Sequence, residues 1–253
     1  MHIIQSILEW IIDTIFKFLP QNSSQKIPLI VAHRGWHQDG ITENTIKSFQ
    51  KAKDSGLWGI EFDIRWTRDL VPVIHHDPHL LRIWQKNILI SDLDFHELRN
   101  LVPEIPSLEE VVHHFGKKIH LFVEIKQEKF PQLRKQCAIL ENILKPLDPV
   151  ADFHLMALDV SLFKKFDLYT NKKVYVLVSI MNPLTIQRQA IDFKCGAVTG
   201  HYLLISKSIQ RKLYTFDVEV GTGFIKSQNS LKRELARGAK WIFTNHPKNL
   251  IKE

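Results

Sequence analysis

Residues 31–77 read VAHRGWHQDGITENTIKSFQKAKDSGLWGIEFDIRWTRDLVPVIHHD, and the apolar runs in and around this stretch stop at ionisable residues. The runs begin at Leu29, Gly59 and Val71, and the polar groups that end them are His33-Arg34-Gly35, the pair Glu61 and Asp63, and His75-His76-Asp77. Glu61 and Asp63 share one face, because side chains on a strand repeat every second residue. Ionisable groups at the ends of apolar strands are typical of the active-site edge of an α/β enzyme.

A further run, HLFVEIK at residues 120–126, adds the carboxylate of Glu124 and the ammonium of Lys126. Two carboxylates on one strand and a third on another form an all-oxygen pocket, which suits Mg²⁺ or Ca²⁺ better than Zn²⁺. Without a cation the three carboxylates would repel one another, and at least one would tend to take a proton. The sequence therefore predicts a site for one divalent cation, Mg²⁺ or Ca²⁺, at Glu61, Asp63 and Glu124.

Five ordered motifs resemble the glycerophosphodiester phosphodiesterase family. They are AHRG at 32–35, ENT at 43–45, IEFDIRWTRD at 60–69, VPVIHHDPHLLR at 71–82 and VEIK at 123–126. The segment GAKWIFTNHP at 238–247 resembles the closing strand of the family, although Asn245 stands where the family usually has Asp. The resemblance implies a compact (β/α)₈ TIM barrel, with Glu61, Asp63 and Glu124 as metal ligands.

Two histidines are the predicted acid and base. Phosphodiester cleavage needs a base for the attacking oxygen and an acid for the leaving alkoxide, and histidine, whose ordinary pKa is about 6.5, suits both roles. The motifs match His33 and His76 to these roles. His75 directly precedes His76, so on an extended chain its side chain points the opposite way.

Three further residues are predicted to bind substrate. Arg34 and Lys126 would hold the phosphate, Arg34 by bidentate geometry and Lys126 as a point charge. Glu43 of the ENT motif would orient a histidine or contact the glycerol hydroxyls. The resemblance further implies that a glycerol hydroxyl of the substrate attacks first, giving a cyclic phosphate that water then opens.

Length and composition fit one large domain. The chain has 253 residues, which matches a single α/β barrel, and a formal charge of +7 that favours anionic surfaces or substrates. We expect no nucleic-acid partner, because lysines are scattered and no nucleic-acid-binding motif is present. The two cysteines, Cys137 and Cys195, form no CxxC motif, which favours a reducing compartment and a cytoplasmic location.

The N-terminal segment MHIIQSILEWIIDTIFKFL, residues 1–19, has a narrow polar sector and predicts a strongly amphipathic helix. Glu9, Asp13 and Lys17 interrupt its apolar run and disfavour a membrane span. Two interpretations remain: a helix lying on a membrane surface, with the protein peripherally attached, and a helix packed against its own domain or a second subunit. A polar linker follows, so we divide the chain into residues 1–26, helix and linker, and 27–253, the barrel domain.

The remaining sequence alternates strand and helix patterns. Strands are predicted near 29–32, 59–64, 71–74, 120–126, 153–157, 173–180, 197–199, 214–220 and 241–244. Helices are predicted near 46–56, 92–101, 107–115, 129–145, 160–169, 183–193 and 230–238, with a capping-box pattern at Ser107-Leu108-Glu109-Glu110. Alternation of this kind predicts βα units around a parallel sheet, but the strands are one more than a barrel needs.

Three functions follow from these patterns. The first is hydrolysis of small glycerophosphodiesters to sn-glycerol 3-phosphate and an alcohol. The second is a lysophospholipase D activity on lysophospholipids, which residues 1–19 and the apolar Leu80, Leu81, Ile83 and Trp84 favour. The third is a non-catalytic, membrane-associated binding module. The segment 214–220 departs from the motif of the family, and its Phe216 is a candidate for an aromatic wall of the substrate pocket.

Overall fold

The computed structural model describes Ile11, Thr14, Ile15 and residues 27–251. Those first three residues are helical, and the rest of the helix and linker predicted over 1–26 lies outside the described residues. Among the residues described, no helix is both long enough and apolar enough to cross a membrane.

Eight parallel strands within residues 27–251 close into a barrel. They are β1 Leu29–His33, β2 Gly59–Trp66, β4 His120–Ile125, β5 Phe153–Ala157, β6 Tyr175–Ser179, β7 Ala197–Gly200, β8 Glu219–Thr222 and β9 Trp241–Thr244. Each strand pairs with its neighbour in the barrel, and β1 closes it by pairing with both β9 and β2. The fold is thus the predicted (β/α)₈ TIM barrel.

The ninth predicted strand, β3 at Pro72–Ile74, lies outside the barrel. It pairs antiparallel with the end of β2, with Ile64 opposite Ile74. The amide of His75 then donates to the carbonyl of Asp63 at 3.0 Å. This hairpin brings the segment that follows β3 back beside the carboxyl end of β2.

Nine helices of the described part of the chain connect and cover the strands. They are α1 Ile46–Asp54, α2 Leu81–Trp84, α3 Phe95–Leu101, α4 Leu108–Phe115, α5 Leu133–Leu144, α6 Val160–Lys165, α7 Pro183–Phe193, α8 Lys207–Thr215 and α9 Gln228–Arg237. The capping box predicted at Ser107 is confirmed: its hydroxyl accepts from the amide of Glu110, whose carboxylate accepts from the amide of Ser107.

The core has three parts, and in one of them Val73 of β3 packs with Leu80 and Ile90. Inside the barrel, side chains from several strands pack together, including Val31, Phe122, Met156, Val176 and Phe243. A larger cluster fills the layer between strands and helices. All eight residues of β2 are buried, which is expected of a parallel strand covered on both faces. The polar side chains that point inward near the end of such a strand are therefore shielded from water.

The strand predicted over 214–220 is wrong in its first half. Residues up to Thr215 belong to α8, and β8 begins at Glu219. Ser206 caps α8, and Ile209 and Leu213 are buried at i, i+4 spacing. This spacing places both side chains on the buried face of a helix. The alternating pattern near Phe216 had suggested a strand instead.

Phe216 follows α8 and precedes β8, so it lies at the amino-terminal end of the barrel strands. The predicted active site is at the opposite, carboxyl end of these strands. Phe216 therefore does not form a wall of the pocket, and its side chain is half exposed.

Candidate active site

The predicted site residues meet at the carboxyl end of the barrel. The register of the sheet places His33 of β1 opposite Glu61 of β2, and Asp63 opposite Glu124 of β4. Residues opposite each other on neighbouring strands have adjacent side chains when both point to the same face. Parallel pairing therefore brings together groups that lie far apart in the chain, such as His33 and Glu124.

Glu61, Asp63 and Glu124 form a buried carboxylate cluster. One oxygen from each lies within 4.8 Å of the other two. Oε1 of Glu61 is buried and has no hydrogen-bond partner among the described residues. Burial, together with the charges of Asp63 and Glu124, raises the pKa of Glu61 well above its ordinary value. A divalent cation would relieve both the repulsion and the missing contact.

Lys126 lies against this cluster. Its Nζ is 2.6 Å from Oδ1 of Asp63 and 2.5 Å from Oε1 of Glu124. Burial opposes the charge of the ammonium, but the two carboxylates outweigh burial and raise the pKa of Lys126. Burial likewise opposes ionisation of Asp63, yet Lys126 and Arg34 hold its pKa well below the ordinary value. These two cations therefore favour the ionised form of Asp63, whereas burial raises the pKa of Glu124.

Arg34 has a strained but well-supported backbone. Its φ is +57°, in the left-handed region that few residues other than glycine adopt. In this conformation its amide donates to Oε2 of Glu61 at 3.0 Å, and its side chain donates to Glu43 at 3.1 Å. Its Nε lies 3.5 Å from Oδ2 of Asp63. The turn thus points the backbone amide of Arg34 towards Glu61 and its guanidinium towards Asp63 and Glu43.

Gly35 makes this turn possible. Its φ is +76°, and a Cβ placed on it would lie 2.4 Å from Oγ of Ser48 and 2.8 Å from Cδ1 of Phe49. Both neighbours belong to α1, so the turn after β1 packs directly against that helix. Only glycine fits at this position without a shift of α1.

His33 is oriented by Asn245. Its Nδ1 donates to Oδ1 of Asn245 at 2.6 Å, which leaves Nε2 without a proton and 3.7 Å from Oε2 of Glu61. Burial first, and then the charge of Arg34, lower the pKa of His33 to about 4. The imidazole is therefore neutral near pH 7 and can accept a proton at Nε2.

His76 is oriented by a carboxylate. Its Nδ1 lies 2.7 Å from Oδ1 of Asp77, and Oδ2 of Asp77 accepts from Nε of Arg82 at 2.5 Å. Arg65 donates twice to the carbonyl of His76, at 3.0 and 2.8 Å. His75 is buried, and its Nδ1 donates to the carbonyl of Asp77 at 2.8 Å. Burial, with the charges of Lys126 and Arg34, lowers the pKa of His76, and Asp63 and Asp77 oppose this shift.

Arg82 joins the two halves of the site. It donates to both oxygens of Glu43, at 2.7 and 3.3 Å, as well as to Asp77. Glu43 in turn accepts from Arg34. The chain of contacts therefore runs from Arg34 to His76 through Glu43, Arg82 and Asp77. Glu43 reaches His76 only through this chain and makes no direct hydrogen bond to it in the described part of the structure.

Sequence reasoning missed four supporting residues: Asn44, Arg65, Arg82 and Glu128. Asn44 donates to Oδ2 of Asp63 at 2.9 Å, and Glu128 accepts from the amide of Trp66 at 3.0 Å. Asn44 and Arg82 lie inside the quoted motifs, so their presence was a usable signal. Arg65 likewise lies inside the motif at 60–69, whereas Glu128 lies outside the quoted motifs and carries no such signal, because isolated charged residues are usually exposed to solvent.

The model of the glycerophosphoryl diester phosphodiesterase family matches residues 33–249. The chain is similar to a glycerophosphodiester phosphodiesterase of Bacillus altitudinis, with 24% identity over 250 residues, 88% of this chain and 96% of that protein. It is also similar to glycerophosphodiester phosphodiesterase 1 of Homo sapiens, with 28% identity over 134 residues. That match covers 44% of this chain and 40% of the human protein, so the chain spans less than half of it.

Solved structures share the fold. A glycerophosphodiester phosphodiesterase from Thermotoga maritima has a TM-score of 0.73 and 20% identity, over 88% of this chain and 96% of that one. A phosphodiesterase from Oleispira antarctica, solved in complex with the product sn-glycerol-3-phosphate, has a TM-score of 0.74 and 20% identity, over 93% of this chain and 96% of that one. At these identities the likeness shows the barrel.

Proposed function

The chain belongs to the glycerophosphoryl diester phosphodiesterase family, and from this premise we propose that it hydrolyses glycerophosphodiesters to sn-glycerol 3-phosphate and an alcohol. The observation that carries the proposal is the convergence of three buried carboxylates, two imidazoles and two cationic side chains at one end of the barrel. The bond that breaks is the P–O bond to the alcohol, and the elements of water are added across it.

The carboxylate cluster fits a divalent cation. All of its donors are oxygens, three of them approach within 4.8 Å, and Oε1 of Glu61 has no other partner among the described residues. Hard oxygen donors of this kind suit Mg²⁺ or Ca²⁺. When bound, the cation would polarise a phosphate oxygen and lower the pKa of the attacking hydroxyl. Glu61, Asp63 and Glu124 would hold it.

The histidines divide the proton transfers. His33 has its proton on Nδ1, held by Asn245, so Nε2 is free to accept the proton of the attacking hydroxyl. His76 contacts Asp77, which orients the ring and favours its protonated form against the effect of burial, and we assign to it the proton that the leaving alkoxide takes up. When a cyclic phosphate forms first and water then opens it, the two histidines exchange these roles.

The cationic residues hold the phosphate. Arg34 lies at the carboxylate cluster with a planar guanidinium suited to bidentate contact with phosphate oxygens. Lys126 contacts Asp63 and Glu124, and its ammonium offsets the negative charge that builds up on the phosphate oxygens during transfer. Glu43 fixes Arg34 from the other side. A substrate phosphate would therefore be bound between Arg34 and Lys126.

Release of glycerol 3-phosphate from glycerophosphocholine tests the proposal. Purified full-length protein is assayed with EDTA, Mg²⁺ or Ca²⁺. We expect turnover only with a cation, and a loss of about 10²- to 10⁴-fold in His33→Ala and His76→Ala. Glu61→Gln should lose both activity and the rise in melting temperature that the cation causes.

A matched control is Glu219→Gln, which removes a half-buried carboxylate paired with Lys240 at the amino-terminal end of β8 and should leave activity unchanged. Turnover that persists undiminished in EDTA would contradict the metal requirement. Binding of glycerophosphocholine without turnover under every condition would instead support the non-catalytic binding module.

A further inference from the structure

The guanidinium of Arg65 holds the main chain of His76. Its Nε and Nη2 both donate to the carbonyl oxygen of His76, at 3.0 and 2.8 Å. No other hydrogen bond to this carbonyl occurs within residues 27–251. The carbonyl belongs to the residue whose imidazole is the proposed acid, so the position of that imidazole depends on Arg65.

The remaining nitrogen of the guanidinium is held by Glu128. Nη1 of Arg65 donates to Oε2 of Glu128 at 3.2 Å, and Oε1 of the same carboxylate accepts from the amide of Trp66 at 3.0 Å. Glu128 lies two residues after Lys126, in the loop that follows β4. We call Arg65, Glu128 and the carbonyl of His76 the Arg65 brace. The brace joins the end of β2 to the loops that follow β3 and β4.

Arg65 is engaged within the protein and not at the predicted phosphate site. All three nitrogen atoms of its guanidinium donate within the Arg65 brace, and the residue is only 8% exposed. Its charge is paired with Glu128. Arg34 differs, because its Nε is buried and has no hydrogen-bond partner among the described residues. The contacts of Arg65 therefore indicate that it acts through His76 and not on the substrate.

The segment that carries His76 needs such a support, because it follows a short strand. β3 has three residues, and its hairpin with β2 ends at the bond from the amide of His75 to the carbonyl of Asp63. His76 follows that bond, and its side chain is partly exposed. Asp77 contacts the imidazole at Nδ1. Arg65 therefore fixes where the ring is attached, and Asp77 fixes how the ring is rotated.

We propose that Arg65 is a positioning residue for proton transfer to the leaving group, and that it acts through the main chain of His76. This inference rests on the proposed function, in which His76 gives a proton to the departing alcohol. In that step the attacking hydroxyl oxygen bonds to phosphorus, the P–O bond to the alcohol breaks, and the alcohol oxygen keeps the electron pair and takes up the proton of His76. Proton transfer requires its donor and acceptor at hydrogen-bond distance. A displaced main chain at His76 therefore weakens this step and leaves phosphate binding unchanged.

The test compares two glycerophosphodiesters whose leaving groups differ in their need for a proton. Choline leaves glycerophosphocholine as an alkoxide that must be protonated, whereas p-nitrophenol leaves glycerophospho-p-nitrophenol as a stable anion. The value of kcat/KM for alcohol release covers the steps up to the departure of the alcohol. The readout is the ratio of kcat/KM for the aryl substrate to that for glycerophosphocholine. Both values come from one preparation of full-length protein with an activating cation, so an inactive fraction cancels in the ratio.

Arg65→Gln should lower kcat/KM for glycerophosphocholine by about 10- to 100-fold, because a shift of about 1 Å at a catalytic group has an effect of this size. The aryl substrate should lose no more than about twofold, since its leaving group needs no proton. The ratio should therefore rise by about tenfold or more. Arg65→Lys keeps the charge but lacks the planar fork, so it should recover only part of the loss.

Two further variants show whether the effect passes through His76. His76→Ala alone should raise the ratio by about 10²-fold or more. Adding Arg65→Gln to His76→Ala should change the ratio by no more than about twofold, because residues that act as a unit are not additive. The matched control is Arg68→Gln, which removes an arginine three positions further on that pairs with Asp94 and Glu97 and should keep the wild-type ratio.

Three results would overturn the inference while leaving the proposed function standing. The first is an equal loss for both substrates in Arg65→Gln, which would mean that Arg65 binds substrate or supports the site in general. The second is a wild-type rate and ratio in that variant. The third is a rise in the ratio that is as large in the His76→Ala background as in the wild type. If Arg65→Gln does not fold, Arg65→Lys serves for the same comparisons. Failure of the proposed function differs from all three, since the wild type would then hydrolyse neither substrate with any cation.

Discussion

Acidification should destabilise the barrel at its amino-terminal end, through a buried pair of histidines. Nε2 of His120 lies 2.7 Å from Nδ1 of His154, and Nδ1 of His120 donates to the carbonyl of Ala151 at 3.0 Å. Trp58 stacks on His120 with the ring centroids 4.4 Å apart. Both histidines are buried, and the carbonyl fixes the neutral tautomer of His120 with its proton on Nδ1.

The magnitude follows from the shifted pKa. Burial, as the main cause, lowers the pKa of His120 from 6.5 to about 4 in the folded protein. The unfolded chain therefore binds more protons between these two values, and the free energy of unfolding falls as the pH falls through this window. The loss from His120 alone is about 2 kcal/mol at pH 5 and about 3 kcal/mol below pH 4. Burial, and then the proximity of His120, lower the pKa of His154 as well.

The assay is urea unfolding at a series of pH values from 8 to 5, with wild type and His120→Asn compared. Asparagine keeps a donor for the carbonyl of Ala151 but does not titrate. Since other buried histidines such as His33 act in the same direction, the informative quantity is the difference between the two proteins. The wild type should lose about 2 kcal/mol more than the variant between pH 8 and pH 5.

A control variant, His113→Asn, removes an exposed histidine of α4 and should follow the wild type. An equal pH dependence of the unfolding free energy in wild type and His120→Asn would refute the reasoning, because the buried pair would then contribute nothing to acid sensitivity.

Three further predictions concern the site. Asn245→Asp places a carboxylate at the 2.6 Å contact with His33, so the pKa of His33 should rise and the acid limb of kcat/KM should move to higher pH by about one unit; an unchanged pH profile would contradict this. Gly35→Ala should lower the free energy of unfolding, measured in urea, by about 1–3 kcal/mol, because the added methyl group overlaps with α1. In the control Gly40→Ala, φ is similar but the methyl group would have no atom within 4 Å, so the loss should be only about 1 kcal/mol. Arg82→Gln should reduce kcat by about tenfold or more without changing the cation-induced thermal shift, since Arg82 holds both Asp77 and Glu43; Arg82→Lys should recover only part of the loss, because lysine lacks the planar fork.

Much of the fold was predictable because strand ends and helix caps are local signals. The alternating and continuous apolar runs identified the eight barrel strands, with β8 displaced by a few residues. The limits predicted for α7 agree with the structure, since Pro183 begins it. The failure at 214–220 has a physical cause: Tyr214, Phe216, Val218 and Val220 alternate as in a strand, whereas the helix that ends at Thr215 is anchored by Ile209 and Leu213. What decides such a segment is the surface available for it to pack on.

Most of the residues that form the candidate site could also be predicted from the sequence. Parity along β2 places Glu61 and Asp63 on one face, and position at the end of a strand marks His33, Glu124 and Lys126 as groups that converge when parallel strands assemble. These predictions depend only on the periodicity of a strand and on the common direction of barrel strands, so a single sequence is sufficient for them. Their roles in catalysis stay predictions until the variants are measured.

Tertiary structure alone decided how those groups are oriented and what surrounds them. The folded chain pairs His33 with Asn245, 212 positions away, and Arg82 with both Glu43 and Asp77. Such contacts depend on strand stagger and loop geometry, which no local pattern encodes, because a side chain's partners are set by the closure of the whole barrel. The sequence by itself determined which groups reach the mouth, and the closed barrel decided which of them touch.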